Sequence, residues 1–249
     1  MTTPDDPRPA GRVSVVLPVY RNRRQLPELY RRLTEVLTRL TAHHELVFVD
    51  DAGCDGSLEW LRECRRLDDR VTVVEMAENG GQHPAVVAGL ARSTGDIVAV
   101  MDADLQDPPE ALPDLVRVLG SRDAVVFAKR TTRHQTRVRH WTGLLFKRFL
   151  RLLAGSRVPT GTGMFFVASR SVVEAVGSLS ANVRYVPLLL DQTGVSLTAV
   201  PVGKDWQPDV PSAYSAARRL RLALGAVRQA IEWRRARKRI RLPVRDPLG

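Results

Sequence analysis

Along the first half of the chain, short runs of β-branched and aliphatic residues alternate with longer stretches in which leucine recurs every third or fourth position. That alternation predicts βαβ units around a mostly parallel sheet. A strand is expected at Val13 to Tyr20, followed by a helix from about Arg24 to Leu40 with Leu26, Leu29, Leu33 and Leu37 on one side. A second strand, Glu45 to Asp50, leads to a helix that starts after Asp55 as N-cap and runs through Leu58, Leu61 and Leu67. The third strand is Val71 to Met76, the turn Asn79 to Gly81 precedes a helix over Pro84 to Ala91, and Gly95 opens a fourth strand, Asp96 to Met101. Pro108 and Pro109 suit the first turn of a further helix, and Val125 to Ala128 reads as a fifth strand. Beyond it the pattern loosens into a basic loop at Arg130 to Arg139, a helix at Trp141 to Leu153, a strand at Met164 to Ala168 and a helix at Ser171 to Val176.

Composition divides the chain. With 249 residues, 44% of them hydrophobic, it is long enough for one α/β domain, placed at residues 13–214. Residues 1–12 form a polar, Pro-rich segment expected to be disordered, without the apolar core of a secretion signal. The net charge of +11 would raise nucleic acid, anionic membrane or phosphate-bearing substrates as partners, but its distribution is uneven. Ten Lys or Arg against the single acid Glu232 lie between Ala217 and Arg241, so the basic character belongs to a tail at residues 215–249. Cys54 and Cys64 are too few for a disulfide framework and are read as unpaired thiols of a reducing compartment. No apolar run approaches the roughly 20 residues that span a bilayer, so any membrane contact is expected from the surface.

Two expected strands end in paired acids, Asp50-Asp51 and Asp102-Ala103-Asp104. In open α/β sheets ligands bind outside the carboxyl ends of the strands, which places a pocket there. Two carboxylates one residue apart where a strand stops can hold a hard divalent cation, which would bridge a diphosphate and neutralise its charge. An isolated Asp-x-Asp is more often a solvated loop. Asp51 and Asp55 suit turn-shaping and helix-capping roles.

The motifs LPVY at Leu17 to Tyr20, ELVFVDDAGCDGS at Glu45 to Ser57, NGGQHPAVVAGLARSTGD at Asn79 to Asp96 and MDADLQDPPE at Met101 to Glu110 change that balance. Together they resemble the family-two glycosyltransferases, specifically the polyprenyl-phosphate mannose and glucose synthases. The resemblance implies a GT-A fold and inverting transfer from a UDP- or GDP-sugar with Mg or Mn. It implies that Pro18 and Tyr20 flank the nucleobase and that Asp50 hydrogen-bonds to base or ribose. Asp102, Ala103 and Asp104 would contact ribose, metal and diphosphate, Gln106 would complete the metal shell, and Arg130 and Arg139 would hold phosphate. A phosphate acceptor needs no strong base, whereas a hydroxyl acceptor would need a carboxylate such as Asp191 or Asp107. The chain departs from the family pattern at Arg21-Asn22, where Asn-Glu is usual, at Met164, where lipid-phosphate enzymes often carry an acid, and at Ser212-Ala213-Tyr214 in place of Ser-Lys-Tyr.

In the tail, Leu220, Leu224, Val227 and Ile231 recur at helical spacing with arginines on the other faces. Such a basic amphipathic helix suits an anionic membrane interface through residues 217–241, although its stripe could instead pack on the catalytic body. Nucleic acid is disfavoured, because no recognition module with interleaved aromatics accompanies the charge. The resulting expectation is a cytoplasmic hexosyltransferase, peripheral on the inner membrane face, with a polyprenyl phosphate acceptor. The same donor chemistry on a soluble hydroxyl acceptor, or a non-catalytic tethered protein on this fold, are the alternatives.

Overall fold

The computed structural model describes residues 11–130, 155–179 and 185–203, together with Leu224, Gly225, Val227, Arg228, Gln229 and Ile231, which are helical. The expected helix at Trp141 to Leu153, Arg139, and most of residues 1–12 and 215–249 lie outside the described residues.

In chain order the elements are β1 (Val13–Val19), α1 (Leu26–Leu40), β2 (His44–Asp50), α2 (Ser57–Leu67), β3 (Val71–Glu75), α3 (Gln82–Arg92) and β4 (Ile97–Val100). A 3-10 turn (Pro109–Ala111) leads into α4 (Leu112–Leu119), followed by β5 (Ala124–Arg130), β6 (Thr162–Ser169), α5 (Arg170–Leu179), α6 (Val186–Gln192) and β7 (Ser196–Val202). One sheet holds all seven strands in the order β3-β2-β1-β4-β6-β5-β7. Pairing is parallel from β3 to β4 and between β5 and β7, and β6 runs antiparallel to both its neighbours.

Helices cover both faces. The odd-numbered residues of β1 join Leu46 and Phe48 in a core with the α1 and α4 leucines, and Val16, Val47 and Val49 join the α3, α5 and α6 side chains in a second core. This double burial is why β1 is buried at every position and apolar except at Ser14, rather than alternating. Within α1 the stripe Leu26, Leu29, Leu33, Leu37 and Leu40 is buried, each leucine contributing about 1.5–3 kcal/mol. The α3 helix reaches the second core because Gly89 lets it lie against the sheet: a Cβ there would collide with Val16 and come within 2.9 Å of Val49.

The topology also locates a crevice. From β1 the chain adds β2 and β3 on one side, then returns through α3, on the opposite face, to place β4 on the other side of β1. Strand order reverses between β1 and β4, and ligands of open α/β sheets bind at the carboxyl end of such a switch point. Pro18 marks the spot. Its nitrogen faces the β4 side, where the ladder has already ended at the Val16–Val100 pair, so its missing N–H costs nothing.

Candidate active site

Three adjacent parallel strands deliver the predicted residues to this crevice: Pro18 and Tyr20 from β1, Asp50 and Asp51 from β2, and Asp102 to Gln106 from the segment after β4. The loops that carry them are strained. Among the described residues, the non-glycine residues with positive φ are Arg21 (59°), Ala52 (52°), Cys54 (51°) and Leu105 (59°), all in the segments that follow β1, β2 and β4. Each such residue costs about 1–3 kcal/mol, and backbone strain of this kind clusters at ligand sites. The loops also brace one another: a Cβ on Gly53 would lie 2.8 Å from the Arg21 nitrogen, so only glycine allows the β2 loop to close on the β1 loop.

The paired acids divide their work. Asp51 is 2% exposed and structural: its carboxylate accepts the backbone N–H groups of Gly80 (2.7 Å) and Gly81 (3.0 Å), and its carbonyl accepts the Asn79 amide at 3.0 Å. Asp50 is 4% exposed, and its Oδ1 has no hydrogen-bond partner among the described residues. Burial holds the Asp50 carboxyl above its ordinary range, opposed by the Ala52 N–H, while the charges of Asp55, Asp51 and Glu59 push it further up. A buried acceptor lacking a donor, beside Tyr20, suits an N–H or hydroxyl of a base or ribose. Asp55 does not occupy the N-cap position expected of it. Gly56, with φ of 84°, is the N-cap of α2, and Asp55 accepts the N–H groups of Ser57 (3.2 Å) and Arg23 (3.0 Å), tying the β2 loop to the β1 loop.

At the departure from the family pattern, Asn22 accepts the Tyr20 N–H at 2.9 Å, and its carbonyl receives the first N–H groups of α1. The Arg21 guanidinium lies 5.2 Å from the centre of the Tyr20 ring. A cation on an aromatic face thus stands where the family usually has Asn-Glu.

After β4 the Asp102 carboxylate accepts a hydrogen bond from the side-chain amide of Gln82, the first residue of α3. Asp104 accepts the Gln106 N–H at 3.0 Å, which turns the chain and leaves Leu105 in its left-handed conformation with its side chain buried. Ala103 is 2% exposed with its methyl in the core, so only its backbone could meet a donor; it spaces the two acids. Among the described residues no three His, Cys, Asp or Glu side chains converge as a metal site. The residues present nevertheless fit a hard cation. Asp102, Asp104 and Gln106 offer oxygen ligands, and a cation of this kind completes its shell from phosphate and water.

Other candidates have different surroundings. Arg130 is the last residue of β5, paired with Val202 at the acid-bearing end of the sheet. Asp191 sits on α6, 5% exposed, and its carboxylate accepts the Arg157 N–H (3.0 Å) and guanidinium (3.1 Å). That ion pair ties the segment before β6 to α6, a structural employment for a residue read as a possible base. Met164 is packed in the second core at 6% exposure, and Asp107 is buried at 2%. His83, next to Gln82, is 4% exposed, and its Nδ1 accepts the Val186 N–H at 3.3 Å. Burial pushes its imidazole down to about 4 and the neighbouring Tyr185 phenol up to about 12.

An open sheet whose strand order reverses at β1, with a carboxylate rim at the switch point and an antiparallel β6 inserted beside it, is the GT-A kind of nucleotide-binding fold. The chain belongs to glycosyl transferase family 2, whose model matches residues 14–177. It is 32% identical over 215 residues to the glycosyltransferase YkcC of Bacillus subtilis (strain 168), covering 86% of this chain and 67% of that one. It is 33% identical over 217 residues to the undecaprenyl-phosphate 4-deoxy-4-formamido-L-arabinose transferase of Pseudomonas syringae pv. syringae (strain B728a), covering 87% and 64%. The chain thus spans about two thirds of the length of these relatives. Among solved structures, a mannosyltransferase from Pyrobaculum calidifontis in complex with GDP-Man and Mn2+ superposes with a TM-score of 0.61, at 22% identity over 91% of this chain and 66% of that one.

Proposed function

We propose that the chain transfers a hexose, with inversion, from a UDP- or GDP-sugar to a polyprenyl phosphate at the cytoplasmic face of a membrane. The observation that carries the donor half is the meeting of Asp50, Asp102 and Asp104 at the switch point of the sheet. In this reading Tyr20 and Pro18 flank the base, Asp50 accepts a hydrogen bond from base or ribose, and Asp102 contacts the ribose. Asp102, Asp104 and Gln106 hold Mg or Mn, which when bound neutralises charge on the departing diphosphate. Arg130 and Arg139 supply further cations for phosphate.

The acceptor half draws support from the relative that is an undecaprenyl-phosphate transferase. A phosphate oxygen is already anionic at neutral pH, so its attack on the anomeric carbon needs alignment rather than proton removal. The Asp191 ion pair with Arg157 fits such a base-free route, because the carboxylate is occupied in holding α6. The absence of an acid at Met164 favours a second reading, the same donor chemistry on a soluble hydroxyl acceptor, with Asp107 as a candidate base.

The test is release of UDP or GDP from a panel of nucleotide sugars with Mn or Mg, with and without polyprenyl phosphate in detergent. Release that requires the lipid and falls at least about 100-fold in Asp104→Ala is the expected outcome. Metal-dependent release driven only by soluble hydroxyl compounds would replace the lipid reading with the second one.

A further inference from the structure

Gln82 is polar, partly exposed and the first residue of α3, where a polar side chain could turn back on the free N–H groups of the helix. It does not do so here. The N-cap is Gly81, with no side-chain cap, and the start of α3 is fixed by backbone instead: Asp51 grips the Gly80 and Gly81 N–H groups, and Ala85 N–H reaches the Gly81 carbonyl at 3.2 Å. On the next residue, His83 is buried and accepts the Val186 N–H, so the first turn of α3 is also pinned to α6. Both anchors constrain where the Gln82 side chain starts, and its amide donates across the crevice to Asp102 Oδ1.

We propose that Gln82 is a positioning residue for Asp102, fixing which carboxylate oxygen turns towards the donor diphosphate and its cation. The inference rests on the transferase reading above. An amide suits the task for an electrostatic reason. Lysine or arginine at this position would neutralise Asp102 and compete with a cation for it, whereas an amide orients the carboxylate and leaves its charge intact. A glutamate would bring a like charge against Asp102 and repel it. The cradle Asp51–Gly80–Gly81 therefore links the β2 acids to the β4 acids through one side chain.

The experiment compares wild type, Gln82→Ala and Gln82→Glu by titration with UDP and GDP at several Mn2+ concentrations, alongside turnover with the best nucleotide sugar and thermal melting. For Gln82→Ala the Mn2+ concentration at half-maximal nucleotide binding is expected to rise about 10–100-fold, while the melting temperature stays within about 2 °C of wild type. Turnover of this variant recovers partly at saturating Mn2+, and Gln82→Glu loses more than Gln82→Ala in both readouts. A wild-type Mn2+ response in Gln82→Ala overturns the inference and leaves the transferase reading standing. So does a loss matched by a lowered melting temperature and by equal weakening of nucleotide binding without metal, which would make Gln82 a fold residue. A wild-type protein that neither binds UDP or GDP with Mn2+ nor releases them from any sugar overturns the transferase reading and the inference together.

Discussion

Asp50 is held against its own solvation. Its carboxyl lies above the ordinary range because burial disfavours the charge, and one oxygen has no donor among the described residues. The substitution Asp50→Asn should therefore stabilise the ligand-free protein and raise its melting temperature, while weakening UDP or GDP binding. Calorimetry on both variants, with and without nucleotide, checks the two opposite signs. His83 gives a pH dependence. Its folded pKa of about 4 lies below the ordinary value of 6.5, so between those values the unfolded chain takes up a proton that the fold refuses. Its contribution to stability is complete above pH 6.5 and shrinks as pH falls towards 4. The stability difference between wild type and His83→Gln should narrow over that window and stay flat above it, as followed by denaturant titration at each pH. The acids of this site were legible because aspartate at the end of an apolar run is conspicuous. Gln82 was not, since nothing in Asn-Gly-Gly-Gln says where an amide will point. The left-handed backbone at Arg21, Ala52, Cys54 and Leu105 was equally hidden, because only glycine announces it in a sequence.

At the scale of elements, α3 joins core to chemistry. Replacing Gly89 with alanine favours the helix by about 1 kcal/mol on propensity alone, but the new methyl would strike Val16 and crowd Val49, two β-branched side chains inside the sheet. The contact should win. Gly89→Ala is expected to destabilise by about 1–3 kcal/mol and to lower nucleotide affinity, because the shifted helix carries Gln82 away from Asp102. Melting temperature and nucleotide titration on one sample test both effects. Strands β1 to β5 and the leucine-striped α1 followed from the sequence to within a residue or two, since burial on two faces, or on one stripe, writes itself into composition. The pattern carried less elsewhere. Gly81 let α3 begin at Gln82, two residues before the expected Pro84. Strand β7 escaped notice because Ser196 to Val202 contains Pro201, and the structure resolves the conflict by placing β7 at the sheet edge, where a missing N–H is tolerated. Nothing in Thr162 to Ser169 announced that it would run antiparallel between β4 and β5.

For the whole molecule, the C-terminal helix meets the body in a way that its apolar stripe did not foretell. Its buried contact is polar: Gln229, 8% exposed, accepts the Tyr185 N–H at 2.9 Å and donates to the Tyr185 carbonyl at 3.5 Å. Leu224, from the stripe, is 61% exposed on the same side as the exposed Arg228. Apart from Leu67, it is the one large hydrophobic side chain left exposed among the described residues, which makes it a candidate for lipid contact through the tail. Co-sedimentation with vesicles should therefore require anionic lipid, weaken as salt rises, and fall in Leu224→Asp. Equal recovery with zwitterionic vesicles would remove the tail from the account.

The two ends of the sheet are built to different standards. At the amino end Glu45 receives Ser14 Oγ (2.6 Å) and Thr94 N–H (2.6 Å), Gly95 N–H reaches Ser14 Oγ (2.7 Å), and Arg170 Nε reaches the Gly95 carbonyl (2.8 Å), a network of bonds that ties β1, β2, β4 and α5 together. At the carboxyl end the loops are strained and end in carboxylates. In the transferase reading the residues that would meet the substrate lie at the carboxyl rim, away from these amino-end bonds. A lineage on this scaffold can exchange one sugar or acceptor for another by rewriting the rim loops, with the amino-end bonds untouched.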